Sequence, residues 1–564
     1  MSRFVDTLVA TAQHTSRGIV TGEPHHPRRQ TWGQVHAQAR GVAAALVTKG
    51  LRPGGAVAVL AAEPELVAPA VQGVWLSGGS VTMLHQPTPR TDLDEWGHGT
   101  LQVLEMISAD VVLLDTSFAP VASMLADKGI RHQLLAEAVD TPQPHATAIP
   151  VESGEQDTAL LQLTSGTTAV PKAVRITHGN LLANITAIAE RGHLDPDQDV
   201  MMSWLPLFHD MGMIAFLTLP MTLGLELLKI TPADFLGSPL LWPTLLDKYR
   251  ATITGAPNFA YALLRKQLAR VRDSTTFDLS SLRIALNGAE PIDEAVIRGF
   301  TEVGARFGLP AECMLAAYGL AEATLAVSAA QTAGGLLVDV VDASRLDEDN
   351  LAVPAATGSP TRQFSRLGAP LRGLEVRVAS PDGTLLGARQ VGELLVRGES
   401  VTPGYLTVDG PLTTQDEQGW LHTGDLGYLA DGEVVICGRS KDVIVMAGRN
   451  IYPTDIERVV GSVEGVRAGN AAVVRFDAGT RREGFAIIAE SPHAGNADAE
   501  LQLAQEIISR TVDAVGVRPA AVRIVEAGSL PKTPSGKLRR AEAARHLSSS
   551  QPLPAKLINF ISYP

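Results

Sequence analysis

Short apolar runs typical of β-strands alternate with helical stretches along most of this chain, and this alternation restricts the fold more than any other feature. Ala56–Ala61 is predicted to be a strand, Pro64–Leu76 a helix and Val81–Leu84 the next strand. The same order recurs at Ala251–Gly255 and Asn258–Leu268. Such alternation indicates parallel or mixed sheets covered by helices. Because 564 residues exceed what one hydrophobic core organises, we expect at least two domains.

A second, smaller domain is predicted to begin near residue 440. Strand-like runs at Val443–Met446, Ala471–Arg475 and Phe485–Glu490, with helices after Pro453 and near Leu501–Val515, suffice for a compact α+β unit. We therefore predict an α/β fold: a large N-terminal domain of helix-covered mixed sheets and a smaller, mobile α+β C-terminal domain. The predicted boundaries are 1–437 for the large domain, 438–441 for a hinge, 442–547 for the small domain and 548–564 for a tail.

Composition indicates an ordinary globular protein and excludes several classes. The chain is 45% hydrophobic and 19% charged, with a net charge of −13 and a pI near 5.6, which argues against a nucleic-acid-binding surface. Cys313 and Cys437 have no metal-ligand spacing and fit a reducing compartment. Because the apolar run Met211–Leu225 is too short to cross a bilayer, we expect no membrane span and a cytoplasmic location.

The strongest local signal is a hydroxyl-rich loop that follows the predicted strand Ala159–Leu163. Hydroxyls and exposed backbone N–H groups can surround phosphate oxygens, and a lysine adds positive charge. Since Ser, Thr and Gly also crowd ordinary turns, a plain polar turn is the alternative. The residues concerned are Thr164, Ser165, Gly166, Thr167, Thr168 and Lys172.

This loop resembles the phosphate loop of the adenylate-forming superfamily, and six further motifs resemble that superfamily in the same order. The resemblance covers nearly the whole chain and implies ATP-dependent formation of an acyl-AMP. The further motifs are Trp204–Gly212, Asn287–Pro291, Tyr318–Glu322, Thr423–Asp425, Gly438–Arg439 and Pro534–Lys537.

The resemblance also implies roles for individual residues. The phosphate loop would hold the ATP phosphates, and a carboxylate with phosphate oxygens would hold Mg²⁺. For Arg439, a surface ion pair is the alternative to a contact with ribose or phosphate. The implied nucleotide and metal ligands are Gly288, Ala289 and Glu290 at the adenine, Tyr318 stacked on the base beside Gly319, Glu322 on Mg²⁺, and Asp425 and Arg439 at the ribose.

Two further residues are implied to act at the reacting atoms. Lys537 would stabilise the negative charge that develops when a carboxylate attacks the α-phosphate. His209 would lie beside that carboxylate and gate its tunnel, although a buried core histidine is the alternative. Apolar side chains around Leu205–Leu228 either line that tunnel or belong to ordinary core. Alanines at positions 169, 173 and 321 replace residues that are common in related motifs, which indicates tuning of the site rather than its loss.

Within the superfamily, the chain resembles the fatty acyl-AMP ligases. This resemblance rests on an insertion and on the motifs His209–Gly212, Tyr318–Glu322 and Gly448–Pro453. The insertion, near Val338–Gln363, would brace the two domains and disfavour transfer to CoA; a plain surface loop is the alternative. Lys441 would be the pivot of the hinge. A fatty acid is then the substrate, with an acyl carrier protein or polyketide synthase as acceptor. An acyl-CoA ligase and a non-catalytic acyl or nucleotide binder are the alternatives.

Overall fold

A computed structural model describes residues 1–87, 91–141, 150–164, 171–446, 449–467, 469–478, 480, 483–532 and 538–548. The helices are α1 Arg3–His14, α2 Trp32–Thr48, α3 Pro64–Leu76, α4 Leu93–Met106, α5 Val121–Asp127, α6 Leu135–Val139, α7 His178–Gly192, α8 Leu219–Leu223, α9 Pro232–Gly237, α10 Leu241–Lys248, α11 Asn258–Leu268, α12 Glu294–Gly304, α13 Ala343–Asp349, α14 Pro453–Gly461, α15 Ala497–Val515 and α16 Arg540–Ser548. A π-helix spans Met211–Thr218, and short 3₁₀ turns span Thr116–Phe118, Ala305–Phe307, Ala311–Cys313 and Ala321–Ala323.

The strands are β1 Gly18–Thr21, β2 Arg28–Thr31, β3 Ala56–Leu60, β4 Ser80–Met83, β5 Ala109–Leu114, β6 His132–Leu134, β7 Thr158–Thr164, β8 Lys172–Thr177, β9 Val200–Ser203, β10 Glu226–Lys229, β11 Ile253–Ala256, β12 Ile284–Asn287, β13 Met314–Gly319, β14 Ala326–Ala329, β15 Val338–Asp342, β16 Thr361–Ser365, β17 Ala369–Pro370, β18 Leu374–Ala379, β19 Gly392–Gly398, β20 Gly404–Thr407, β21 Gly410–Thr413, β22 Leu421–Ala430, β23 Glu433–Arg439, β24 Ile444–Met446, β25 Arg449–Ile451, β26 Ala471–Phe476, β27 Gly484–Glu490 and β28 Ala521–Val525.

Two large mixed sheets form the N-terminal domain. In the described residues, one sheet has nine strands in the order β17-β14-β13-β12-β11-β9-β10-β1-β2, and its central strands run parallel. The described part of the other sheet has the order β21-β20-β8-β7-β4-β3-β5-β6. Helices α2 and α3 bury apolar residues such as Val42 and Trp75 in the core shared with both sheets. The predicted fold of helix-covered mixed sheets is confirmed.

A third sheet, β18-β19-β22-β23, ends next to the small domain. Antiparallel pairing of β22 with β23 sets Asp425 opposite Arg439, and the chain then turns at Ser440–Asp442 before β24. This pairing brings two sequence-predicted ligands together at the predicted hinge. The exact domain boundaries remain a proposal.

The C-terminal domain has a core of its own. Its sheet has the order β26-β27-β28 in the described residues, and α14 and α15 pack against it. Ile456, Phe485 and Ile507 are fully buried in this core. The predicted smaller α+β domain is therefore confirmed.

The apolar segment predicted to be buried rather than membrane-spanning forms the π-helix and α8, and nearly all of its side chains are inaccessible. No helix among the described residues is long and apolar enough to cross a bilayer.

Candidate active site

The candidate phosphate site lies where β7 ends and β8 begins. Thr164 closes β7 and pairs with Lys172, the first residue of β8. The hydroxyl oxygen of Thr164 is buried, and no described group hydrogen-bonds to it. The predicted ligands Ser165, Gly166, Thr167 and Thr168 lie outside the described residues, as does Ala169. An unpartnered buried hydroxyl beside a lysine fits a site that a phosphate oxygen would complete.

Tyr405 joins the predicted phosphate lysine to the predicted metal ligand. The Lys172 ammonium lies 3.9 Å from the centroid of the Tyr405 ring. The Tyr405 hydroxyl donates to Oε1 of Glu322, which stands in a 3₁₀ turn just after β13. Burial and the Glu322 carboxylate raise the pKa of Tyr405, so the hydroxyl stays protonated and orients the carboxylate. Sequence reasoning missed Tyr405, since only the pairing of β20 with β8 brings it here.

This arrangement fits one Mg²⁺ ion. Mg²⁺ is held in many phosphate sites by one or two carboxylates together with substrate phosphates and waters. Glu322 presents one oriented carboxylate beside Lys172, and its second oxygen is not used by Tyr405.

The predicted adenine slot follows β12. Ala289 has a left-handed backbone with φ +69°, which turns the chain sharply after Gly288. A Cβ atom on Gly288 would lie 3.2 Å from the Ala317 carbonyl oxygen on the neighbouring strand, so the backbone passes closely here. Glu290 Oε1 accepts a hydrogen bond of 2.6 Å from the Phe259 amide. Asn287 Oδ1 is buried, and no described donor satisfies it, which suits an acceptor for an adenine amine.

Asp425 is the centre of a second polar cluster. Its Oδ2 accepts a 2.7 Å bond from the Tyr318 hydroxyl, and its Oδ1 lies 2.8 Å from Nε of Arg439. Its exposure is only 4%. Burial and the Asp425 charge raise the pKa of Tyr318 well above its usual value. Next to Tyr318, Gly319 admits no side chain because a Cβ would lie 1.9 Å from the Leu325 carbonyl oxygen.

Arg439 forms the ion pair expected as its alternative role, and its partner is Asp425 itself. The Asp425 carboxylate and the Arg439 guanidinium therefore lie side by side, where both can contact the same ligand. Lys441 follows Arg439 by two residues. Burial lowers the pKa of Lys441, and the nearby charges of Arg439 and Lys172 lower it further, whereas Asp442 raises it. The predicted pivot thus lies close to both polar clusters.

His209 stands at the head of the π-helix in a loop fixed from two sides. Its Nδ1 lies 2.6 Å from Asp210 Oδ1. Gln162 on β7 donates a 2.8 Å bond to the Phe208 carbonyl, so the loop is tied to the strand that leads into the phosphate loop. The Phe208 ring meets the ring of His85 edge-on at 5.0 Å.

The small domain reaches this same place. Burial, the Arg539 guanidinium and His209 lower the pKa of His85 to about 4. Lys532 and Leu538 pair as antiparallel neighbours at the base of the Lys537 loop. Burial lowers the pKa of Lys532, and the Glu290 carboxylate opposes this. Lys537 itself lies outside the described residues. On the two sides of its loop, however, Lys532 interacts with the Glu290 charge and Arg539 influences the pKa of His85.

The insertion predicted at Val338–Gln363 is a hairpin of β15 and β16 that carries α13, and it contacts the small domain. Arg362 is 10% exposed and pairs with Asp347 of α13 at 2.7 Å. Its Nε also lies 2.9 Å from Oδ2 of Asp455 in α14. Arg449 Nη2 reaches Asp347 Oδ2 at 3.4 Å. We call this set of charges, Asp347, Arg362, Arg449 and Asp455, the brace cluster.

Apolar packing surrounds the brace cluster. Tyr452 of the small domain is 1% exposed, and its ring centroid lies 5.3 Å from the Arg362 guanidinium carbon. It shares one core with Val341, Leu346 and Phe364 of the insertion. The insertion is therefore part of the domain interface and not a free surface loop.

The chain belongs to the AMP-binding enzyme family, whose model matches residues 9–406. It is 50% identical to the Rv1013 protein of Mycobacterium tuberculosis over 545 residues, which is 96% of this chain and 99% of that protein. It is 32% identical to the long-chain-fatty-acid–AMP ligase FadD26 of Mycobacterium marinum over 555 residues, covering 92% of this chain and 91% of FadD26. A solved structure from studies of fatty acyl-adenylate ligases of E. coli and L. pneumophila superposes with a TM-score of 0.87 at 29% identity, covering 97% of both chains.

Proposed function

We propose that this protein activates a fatty acid with ATP and passes the acyl group to the thiol of a carrier protein. In the first step a carboxylate oxygen attacks the α-phosphorus of ATP. The bond from that phosphorus to the bridging oxygen breaks, so acyl-AMP forms and pyrophosphate leaves. In the second step a thiol attacks the acyl carbon and AMP leaves.

The observation that carries this proposal is the proximity of two polar clusters. One holds Lys172 and Glu322 around Tyr405, the other holds Asp425 and Arg439, and the Arg439 charge acts on Tyr405. Lys172 and the Thr164 hydroxyl would hold the β- and γ-phosphates, because both present donors beside the phosphate loop. Glu322, oriented by Tyr405, would hold Mg²⁺, whose charge offsets that of the phosphates. Asp425 would accept hydrogen bonds from the ribose hydroxyls.

Lys537 would supply the charge that the reacting phosphate needs. A preorganised cation beside developing negative charge lowers the barrier most where water is excluded. Support comes from the base of its loop, since Lys532 and Arg539 lie within electrostatic reach of Glu290 and His85.

The brace cluster supports a carrier-protein acceptor over CoA. Thiol transfer requires the small domain to rotate about the hinge, and rotation breaks the Arg362–Asp455 pair and exposes Tyr452. A carrier protein adds its own interface, whose binding free energy can offset these losses. CoA contributes only small-molecule contacts, so the brace disfavours the acyl-CoA ligase alternative.

A cytoplasmic location follows from the same proposal, since ATP and carrier proteins are available there. Cys313 and Cys437 are both buried free thiols, which fits a reducing compartment.

The experiment is pyrophosphate release from ATP and Mg²⁺ with a ladder of saturated fatty acids, and mass detection of acyl-AMP. We expect release only when an acid is present. Lys172→Met is the matched test variant, because it keeps the length of the side chain without its charge. The proposal is wrong if no acid elicits release, or if Lys172→Met releases pyrophosphate as fast as the native chain.

A further inference from the structure

A lysine ammonium is buried at the carboxyl-terminal end of the nine-stranded sheet. Lys229 is the last residue of β10, pairs with Ser203 at the end of β9, and is only 1% exposed. β9, β10 and β12 belong to the parallel part of this sheet, so their carboxyl ends lie on the same side as Asn287 of the candidate adenine slot. Ligands of such sheets bind outside the carboxyl ends of the strands. Lys229 therefore lies on the same side of the sheet as the candidate site.

Backbone carbonyls surround the Lys229 ammonium. Its Nζ donates to three oxygens, those of Leu205 at 2.6 Å, Ile230 at 2.9 Å and Ser203 at 3.5 Å. Burial lowers the pKa of Lys229 to about 7, and the Asp234 charge opposes this. Because the burial of a charge costs free energy, an apolar side chain would suit this position better unless the carbonyls need a donor. An ammonium has three N–H groups, one for each of these carbonyls.

The ammonium joins two loops that leave the sheet side by side. Leu205 belongs to the loop that leads from β9 to His209, and Ile230 to the connection between β10 and α9. The other end of the His209 loop is held by Gln162, which donates to the Phe208 carbonyl. The loop is therefore fixed at both ends by buried hydrogen bonds, and the ammonium provides those at its start.

We propose that Lys229 is a positioning residue, whose ammonium holds the loop before His209 so that the His209 side chain meets the carboxylate of the acid. This inference rests on the proposed fatty acid activation. The predicted ATP ligands Lys172 and Asp425 lie on other strands, β8 and β22, so loss of the ammonium should impair use of the acid and spare ATP binding. Loss of a hydrogen bond to a charged group corresponds to about a 10- to 100-fold change in an equilibrium constant.

The test measures pyrophosphate release at saturating ATP with a dilution series of one fatty acid, and ATP binding by calorimetry. Lys229→Met keeps the length of the side chain without its charge. Its kcat/KM for the acid should fall about 10- to 100-fold, whereas the Kd for ATP should stay within about twofold of the native value. Lys229→Gln keeps two N–H donors on a shorter side chain, so it should lose less, and it gives the answer if Lys229→Met does not fold.

Arg191→Met is the matched control. The Arg191 guanidinium also donates to two backbone carbonyls, those of Ala329 at 3.0 Å and Pro370 at 3.2 Å, on the outer strands β14 and β17 of the same sheet. Its loss should lower stability in urea unfolding but leave kcat/KM for the acid unchanged.

Three results would overturn this inference alone: a Lys229→Met variant with native kcat/KM for the acid, one that loses ATP affinity to the same extent, or an equal fall in kcat/KM in Arg191→Met. A native enzyme that activates no acid would overturn the proposed function together with it.

Discussion

The brace cluster can be tested by replacing Asp455 with asparagine. Asparagine keeps the shape of the side chain but removes its charge, while Arg362 keeps its partner Asp347 within the insertion. The change therefore weakens the contact between the domains and leaves the insertion itself intact. Deletion of residues 338–363 is a poorer test, because Val341 and Leu346 belong to a core shared with Tyr428. Their removal would disrupt the packing of the large domain as well as the contact between the domains.

The magnitude follows from the burial of the pair. Losing one partner of a buried ion pair costs about 3–5 kcal/mol. Burial raises the pKa of Asp455 despite the neighbouring arginines, so desolvation of the carboxylate outweighs their attraction and the loss lies below that range. Because Arg362 also keeps Asp347, we take about 2 kcal/mol as the loss. This corresponds to about a 30-fold larger population of the rotated arrangement.

The assay is acyl-CoA formation from ATP, a fatty acid and CoA, with acyl-AMP formation measured in parallel. Asp455→Asn should raise acyl-CoA formation about 30-fold and leave adenylation unchanged. Arg458→Gln is the control on the same helix. Arg458 is 41% exposed, and its pairs with Asp293 and Asp455 are both 3.9 Å long, so it should change the rate about twofold at most. An adenylating Asp455→Asn variant without added acyl-CoA formation would refute the brace.

Three further predictions concern catalysis, nucleotide binding and stability. Lys537→Ala should slow acyl-AMP formation at least about 100-fold and spare ATP binding; near-normal single-turnover rates would remove Lys537 from the chemistry. Asp425→Ala should weaken ATP binding about 10- to 100-fold in calorimetry, since it loses charged hydrogen bonds to the ribose; unchanged affinity would contradict that role. Burial lowers the pKa of His178 from 6.5 to about 4. Below pH 6.5 the unfolded chain therefore binds more protons than the folded chain, and the free energy of unfolding decreases as the pH is lowered. Between pH 7.5 and 5, the native protein should therefore lose about 2 kcal/mol more unfolding free energy than His178→Gln, and equal losses in urea unfolding would disprove this linkage.

Local patterns predicted the elements well. The helix Pro64–Leu76 has the predicted bounds, because Pro64 suits a first helical turn and the run behind it is apolar. The strands predicted at Ala471–Arg475 and Phe485–Glu490 each extend one residue further, at one end. Alternating apolar residues and breakers are local, so single segments can be identified without the rest of the fold.

Long-range partners could not be predicted in this way. Tyr405 reaches Glu322 only because β20 pairs with β8, and no local pattern specifies that pairing. Arg362 and Asp455 are 93 positions apart in sequence. Ala173 is an intermediate case: it replaces a residue common in related loops, and the structure buries its methyl group in the core of the second sheet. The π-helix also escaped prediction, since the apolar pattern of Met211–Leu225 suits any buried helix.

This chain is expected to make acyl-AMP and to transfer its acyl group to a carrier-protein thiol, with release of AMP. The most direct measurement incubates the enzyme with ATP, Mg²⁺ and a fatty acid, and then adds either CoA or a phosphopantetheinylated acyl carrier protein. Intact-mass spectrometry follows acyl-AMP, acyl-CoA and acylated carrier. We predict acyl-AMP in every reaction, acylated carrier protein when it is present, and little acyl-CoA. Rapid acyl-CoA synthesis by the native enzyme, or no acyl-AMP with any acid, would contradict the account.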